Sequence, residues 1–469
     1  MAGRVLVRDV IRRSLYAQGR GYFSAQDCVY SPPQPLRFKE LSGRAEYVRQ
    51  LGALYAARAE AWTTPVEVFR PWYSRAIGRY VLGELEARHA GEARAGEVGG
   101  RLPGLADSSL RIVEVGGGNG TNALHVLDLI KAMAPSAYSR LRYSLVEISP
   151  EMSARQRARV QPAHGDVTEF VQADFMEWAA AGVPDECETF VIALEVFDNL
   201  PHDKLVRRRK PAPALAAQAA TAPAATAVPV HWWAYEDSAA DEWFQTVVVD
   251  GAADSLAGAR EELEPLRDPL ALRAAQLFLR ADVQDPLLEA ERAAAPTRLS
   301  ERAAAWARAS LAASRARSEA AQAGVFVPSQ LLRFVELLHA RFPRHRLIAA
   351  DFDSLPPPDI SLWRRWRARG EAGRLEGCRN APLVASKDAR GLTIDQTTYL
   401  VPIGSADIFF ATDFAALQGA YAHVTAGRSS TVMRSRDFLE KYAEHSFTRT
   451  RSGYNAMLED YANTRFILS

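Results

Sequence analysis

A chain of 469 residues is longer than one average domain, and its 48% apolar content is enough to bury a substantial core, which excludes wholesale disorder. Lysine and arginine total 57 against 56 acidic residues, so a net charge of +1 leaves no global field to draw in nucleic acid or a membrane surface. Cys28, Cys187 and Cys378 lie far apart with no metal-ligand spacing or disulfide pattern, which fits a reducing compartment, and no apolar run approaches the ~20 residues of a spanning helix.

The chain opens MAGRVLVRDVIRRSLYAQGRGYF, with five arginines (Arg4, Arg8, Arg12, Arg13, Arg20) against the single acid Asp9. Basic amphipathic starts of this kind occur in mitochondrial presequences. The preferred reading is the first helix of the folded chain, with Val7, Ile11 and Leu15 on one face. Residues 1–95 read as a helical extension, broken at Pro65 and Pro71. From 105 to 202 short apolar runs alternate with helical ones, the grammar of a parallel α/β sheet. The runs are RIVEV (Arg111–Val115), LRYSLVEI, VTEFVQADF and TFVIALEVF (Thr189–Phe197), with helices expected at Thr121–Met133 and Pro150–Val160. Residues 203–230 are Ala/Pro-rich from about Arg207, cannot bury a core, and read as a flexible insert. Residues 231–328 read as a strand at Trp243–Val249 and then Ala/Arg/Glu-rich helices over 253–323. Ordered α/β structure resumes over 329–469, with a helix at Ser329–Arg341, a strand at Arg346–Phe352, and a partly exposed loop SLWRRWRARGEAGR. The prediction is an α/β doubly wound sheet with a helical N-terminal extension and helical insertions.

Glu114–Gly120 reads E-x-G-x-G-x-G between the first strand and its helix. Glycine serves where backbone turns sharply or must approach a ligand with no Cβ in the way. A dinucleotide fingerprint needs glycine where Thr121 stands, and the Gly-Lys-Ser/Thr of a phosphate loop is absent. The tighter spacing behind a leading acid suits the adenosyl and amino-acid portions of S-adenosylmethionine, with Glu114, Gly116, Gly118 and Gly120 as cofactor residues. Glu147 ends the second strand, where a carboxylate accepts from both ribose hydroxyls. The competing role of helix cap falls instead to Ser149, before Pro150. Asp174 ends the third strand, placed either for the adenine amino group, with Phe175 beside the ring, or as a cap.

ALEVFDNLPHDKL brings Glu195, Asp198, Asn199 and His202 to the end of the fourth strand, facing the sulfonium methyl. Paired carboxylates there suit a cationic acceptor such as a guanidinium, gripped bidentately with one nitrogen aimed at the methyl. Glu195 and Asp198 are the expected catalytic pair, with His202 as a proton relay. The plainer alternative is that Asp198 and Asn199 cap a helix opened by Pro201. Asn199-Leu200-Pro201-His202 also resembles the N-L-P-Y element of adenine-N6 RNA methyltransferases, but position 202 lacks the aromatic on which a flipped base stacks.

These residues together resemble the MidA-like methyltransferases, whose best-known member is a mitochondrial protein-arginine methyltransferase assisting respiratory complex I assembly. GRGYFSAQDCVYSP, VEVGGGNGTNALHVL, LVEISPEMSARQ, ALEVFDNLPHDKL and WFQTVVVDG carry the resemblance, and LIAADFDSLP, NAPLV, GSADIFFATDFAAL and GYNAMLEDYANTRFILS extend it toward the plant and fungal branch. The resemblance implies a class I (Rossmann-like) methyltransferase fold and S-adenosyl-L-methionine as cofactor. It also implies a mitochondrial address and symmetric dimethylation of an arginine on a complex I subunit. The chain departs from the family signature at Val196 and Asn199 and carries long low-complexity inserts. Two alternatives stand beside this reading. One is a non-catalytic assembly scaffold that keeps the fold; the other is an RNA methyltransferase, supported only by the basic Trp363–Arg369.

Overall fold

The computed structural model of the chain describes residues 3–25, 29–57, 62–95, 110–209, 241–249, 256, 258–279, 324–356, 375–387 and 393–469. Most of the Ala/Pro-rich insert, the remainder of the 253–323 stretch and the loop around Trp363–Arg369 lie outside these residues.

Ahead of the main sheet run β1 (Val5–Leu6), α1 (Val7–Tyr16), α2 (Tyr22–Ala25), α3 (Arg44–Ala57), α4 (Pro65–Val68) and α5 (Trp72–Ala95). Helix α1 is the one its periodicity predicts: Val7, Ile11 and Leu15 are buried, joined by Val10 and Ser14, with Asp9 in the first turn and Arg13 in the last, as the helix dipole favours. Then follow β2 (Arg111–Val115), α6 (Thr121–Met133), α7 (Pro135–Tyr138), β3 (Arg142–Glu147), α8 (Pro150–His164), β4 (Thr168–Gln172), α9 (Phe175–Ala181) and β5 (Thr189–Leu194). Strands β2, β3 and β5 are almost wholly buried, as expected of near-continuous apolar strands covered on both faces.

The main sheet also includes β10 (His345–Phe352), β14 (Thr431–Arg434) and β15 (Thr464–Leu468), and its order is β14-β15-β10-β5-β2-β3-β4. Strands β10, β5, β2, β3 and β4 are parallel, whereas β15 is antiparallel to both neighbours. The chain builds outward from β2 through β3 to β4, then returns to lay β5 and β10 on the other side of β2. Strand order therefore reverses between β2 and β5, and the crevice beyond their carboxyl ends is where doubly wound sheets bind ligands. Side-chain alternation gives two cores: Ile112, Tyr143 and Ile192 pack toward α5 and α6, and Val113, Val115 and Val191 face helices Ser329–Arg341 and Phe414–Val424.

A second sheet is inserted between β5 and β10. It joins β6 (Asp203–Arg209), β7 (Asp241–Val249), β8 (Arg260–Pro265) and β9 (Val325–Val327), with β1 from the amino terminus paired to β7. Two expectations change here. Residues 203–209, at the start of the stretch read as a flexible insert, form a strand paired with β7 and β9. Arg260–Pro265, read as helical, is a strand along β7, followed by the helix Pro269–Phe278. Its acids suggested a helix, but they meet cations across the sheet: Lys204 reaches Glu261, and Arg4 reaches Glu262 and Glu264. Tertiary pairing overrides the weak local preference. A small sheet, β12 (Thr393–Asp395), β11 (Leu383–Lys387) and β13 (Asp407–Phe409), completes the fold. No helix among the described residues is long and apolar enough to cross a membrane.

Candidate active site

The loop after β2 adopts a left-handed backbone at alternate positions, with φ of 65° at Gly116, 50° at Gly118 and 77° at Gly120. The three glycines are needed for different reasons. A Cβ on Gly118 would meet nothing within 4 Å, so that position opens onto free space. One on Gly116 would lie 3.1 Å from Val196 Cγ2, and one on Gly120 would lie 3.0 Å from the Cα of Gln156. Gly120 is thus a packing glycine that lets α6 and α8 approach. Gly116 and Gly118 line a cleft of about 1060 Å³, its open mouth included, which also exposes Glu147, Asp174 and Glu195.

Glu147 stands at the end of β3 with its carboxylate turned into the crevice. Its Oε1 accepts from Ser149 N at 2.9 Å and its Oε2 from Gln156 Nε2 at 3.1 Å, while burial pushes its pKa up to about 7. Ser149 caps α8 by accepting from Met152 N, which frees Glu147 from that duty. Gln156, which sequence reasoning did not single out, also donates to Gly118 O at 3.0 Å, so one amide ties the loop to Glu147. Asp174 is the cap of α9, its Oδ1 accepting from Met176 N at 2.7 Å, and it also lines the cleft beside Phe175, where an adenine amino group could reach it.

Glu114 is different. Period-two alternation turns it beneath the loop, where Oε1 accepts from Asn122 Nδ2 at 3.0 Å and Oε2 from Tyr143 OH at 2.7 Å. It is 2% exposed, is raised to about 7 by burial, and is not on the cleft wall. Its contribution is to hold the floor under the glycines rather than to touch a ligand.

The structure also separates the expected acceptor pair. Glu195 follows β5 in a left-handed conformation rare for a residue with a side chain (φ 54°), donates its N–H to Ala350 O, and presents a half-buried carboxyl to the cleft. Burial, reinforced by Asp351, lifts its pKa to about 8. Asp198 lies behind it, 5% exposed and off the cleft wall, with Oδ1 lacking a hydrogen-bond partner among the described residues. Burial, then the charges of Asp351, Asp407 and Glu195, holds Asp198 well above the usual carboxylate range. Asp351 Oδ2 accepts from the N–H groups of Phe197 and Asp198 at 2.8 and 3.1 Å, and Asp407 accepts from Asn199 Nδ2 at 2.8 Å. These two acids escaped the sequence reading, although Asp351 near the end of β10 obeys the same carboxyl-end rule as Glu147. His202 is not a proton relay. It stacks on Phe410 with ring centroids 3.7 Å apart, contacts Leu200 O through Nδ1, and is held neutral by burial with a pKa of about 3.

The far wall of the cleft comes from the amino-terminal segment, through Arg12, Tyr16, Phe23 and Val29. Tyr16 OH donates to Asn199 O at 3.0 Å, and Arg12 bridges Asp174 and Glu177 at 2.8 and 2.7 Å. Arg8 likewise bridges Asp203 and Asp268, both at 2.7 Å, and Arg4 pairs with Glu262 and Glu264. Arginines four residues apart each join two carboxylates of the body.

S-adenosyl-L-methionine fits these residues. Gly118 leaves bare backbone beside open space, Glu147 offers an acceptor for ribose hydroxyls, and Asp174 offers one for an adenine amino group. The described wall carries three acidic groups, Glu147, Asp174 and Glu195, against the single cation Arg12, and a sulfonium beside them would draw the raised pKa values of Glu147 and Glu195 down toward ionisation.

Comparison with known proteins agrees. A search of curated proteins returned no match. A crystal structure of a superfamily member from Burkholderia thailandensis bound to S-adenosyl-homocysteine is similar over 99% of this chain and 87% of that one, with 16% identity and a TM-score of 0.51. A native crystal structure from the same organism aligns over the same shares at 15% identity and a TM-score of 0.49. The first likeness supports the mostly parallel α/β methyltransferase fold. Residues 101–431, well over half of the chain, match the family described as "Putative S-adenosyl-L-methionine-dependent methyltransferase". The chain belongs to this family of methyltransferases and uses S-adenosyl-L-methionine as its cofactor.

Proposed function

We propose that this methyltransferase acts on an arginine side chain of a protein, a subunit of mitochondrial respiratory complex I undergoing assembly. The observation that carries the arginine reading is the Glu195 carboxyl on the cleft wall, backed by Asp198, Asp351 and Asp407. The cofactor supplies a methyl group on a positively charged sulfur. A guanidinium, whose pKa lies far above neutrality, stays charged until it is aligned for transfer. Its approach lowers the pKa of Glu195 and turns it into a carboxylate able to take a fork of hydrogen bonds. Glu195 is also the group at hand to receive the proton that the acceptor nitrogen gives up. The complex I partner and the mitochondrial address rest on the resemblance of the sequence segments.

The test is mass spectrometry of arginine methylation in mitochondria from cells lacking the protein, complemented with wild type or with Glu195→Gln plus Asp198→Asn. A complex I arginine should lose methylation in the null, regain it with wild type and stay unmodified with the double variant. An unchanged set of methylated arginines in the null defeats the reading. Restored assembly without methylation by the double variant assigns a scaffold role.

A further inference from the structure

We propose that Glu67 is the positioning residue that sets the glycine loop for the cofactor, acting through Asn119 and Thr121. The proposal depends on the cofactor alone and is independent of the acceptor. Glycines at 116, 118 and 120 impose little backbone preference of their own, so the shape of the loop must be fixed from outside. Gln156 holds one side, through Gly118 O. Glu67, in the short helix α4 of the amino-terminal extension, holds the other.

The geometry is that of an acceptor surrounded by donors. Glu67 is 2% exposed; its Oε1 accepts from Thr121 Oγ1 at 2.7 Å and from Asn119 Nδ2 at 3.2 Å. Its Oε2 accepts from Ser31 Oγ at 2.7 Å and Arg70 Nη1 at 3.3 Å, and Arg159 Nη1 lies 3.6 Å from Oε1. Two arginines balance the buried charge, which a lone carboxylate could not sustain. Asn119 and Thr121 are the buried side chains that alternate with the glycines, so Gly118 can face the cleft while Asn119 is anchored on the opposite side. The same Asn119 amide donates to Val29 O at 3.0 Å, and Val29 is on the cleft wall. One carboxylate therefore registers the loop, the start of α6 and part of the cleft wall against one another. It touches no ligand space itself, since Glu67 is not on the wall.

A double-mutant cycle in the full chain tests this, with S-adenosylhomocysteine affinity measured by calorimetry and folding followed by thermal melts. Asn119→Asp sets a second carboxylate against Glu67 and should weaken binding about thirty-fold, the scale of a lost charge-assisted bond. Glu67→Gln alone should stay within about five-fold of wild type, because its amide oxygen can still face Asn119 and Thr121. Combining the two lets the residue-67 amide donate to the new carboxylate and should recover about ten-fold of the loss. Glu67→Ala should weaken binding without rescue. Should it fail to fold, the cycle decides alone. A double variant as weak as Asn119→Asp, an Asn119→Asp variant that binds like wild type, or a folded Glu67→Ala protein with undiminished affinity overturns the proposal. A merely structural role would shift the melts of these variants and leave affinity per folded molecule unchanged.

Discussion

Replacing Gly118 with arginine separates the cost to the backbone from the cost to the ligand. The position has φ of 50°, so any side chain there carries the left-handed penalty of about 1–2 kcal/mol. No atom lies within 4 Å of an added Cβ, so alanine there meets no further steric cost. Gly118→Ala should therefore destabilise the unliganded chain by that small amount alone. Gly120→Ala, whose Cβ would press to 3.0 Å from the Gln156 backbone, should destabilise it more. The ligand response should differ sharply. S-adenosylhomocysteine at a hundred times its Kd stabilises wild type by about 2.7 kcal/mol, and the arginine, projecting into the space beside the loop, should abolish this. Calorimetric scans with and without ligand measure both quantities. If Gly118→Arg keeps the ligand-induced shift, or Gly118→Ala costs the free protein as much as Gly120→Ala, the assignment of Gly118 to the ligand face is wrong.

Two further outcomes are expected. Among alanine changes at Arg4, Arg8 and Arg12, that at Arg8 should be the most destabilising, about 3–5 kcal/mol, because its side chain is 11% exposed and its partner Asp203 only 2%. At Arg12, 47% exposed, the loss should stay below about 1 kcal/mol, with Arg4 smaller still; equal melting shifts across the three would contradict this ranking. The second concerns pH. Glu114, Glu147, Asp351 and Asp407 are raised to about 7 and Glu195 to about 8, burial being the largest cause in each, so the folded chain keeps protons that the unfolded chain releases near the ordinary carboxyl values. Their contribution to stability is full below about pH 4 and is lost progressively as pH rises toward 8. Cofactor affinity should move the opposite way, rising from pH 6 to 8.5 as Glu147 ionises and accepts ribose hydroxyls more strongly. A flat calorimetric profile in wild type would refute that role, and Glu147→Gln should flatten the rise.

Features written in short-range pattern were readable before the structure. Alternating apolar runs announced β2, β3, β4 and β5, and a glycine loop after β2 placed the crevice because backbone chirality and sheet topology leave few other arrangements. Glu147 followed from its place at a strand end. What escaped depends on which way a residue turns in three dimensions. Glu114 belongs to the same motif yet points beneath the loop, and Asp198 stands three residues from Glu195 but behind the wall. Gln156 sits within α8, where nothing local tells which helical face meets the loop. Glu67 was invisible for a similar reason, since its partners Ser31, Asn119 and Thr121 are distant in the chain. The acidic run at β8 misled because, beside the local Arg260, its counterions Lys204 and Arg4 lie on another strand and at the amino terminus.

The wall built by α1 has a consequence for the order in which the molecule is completed. Arg8 bonds to Asp203 and Asp268, 195 and 260 residues further along. At roughly 5–20 residues per second of ribosomal elongation, the helix waits about 13–52 s for Asp268 to be made. The partners arrive in turn, Asp174 and Glu177 for Arg12 first, then Asp203 and last Asp268 for Arg8, and until the first of them the nascent chain carries an uncovered basic, amphipathic segment. Its seat is complete only when a residue 260 positions further along has been made.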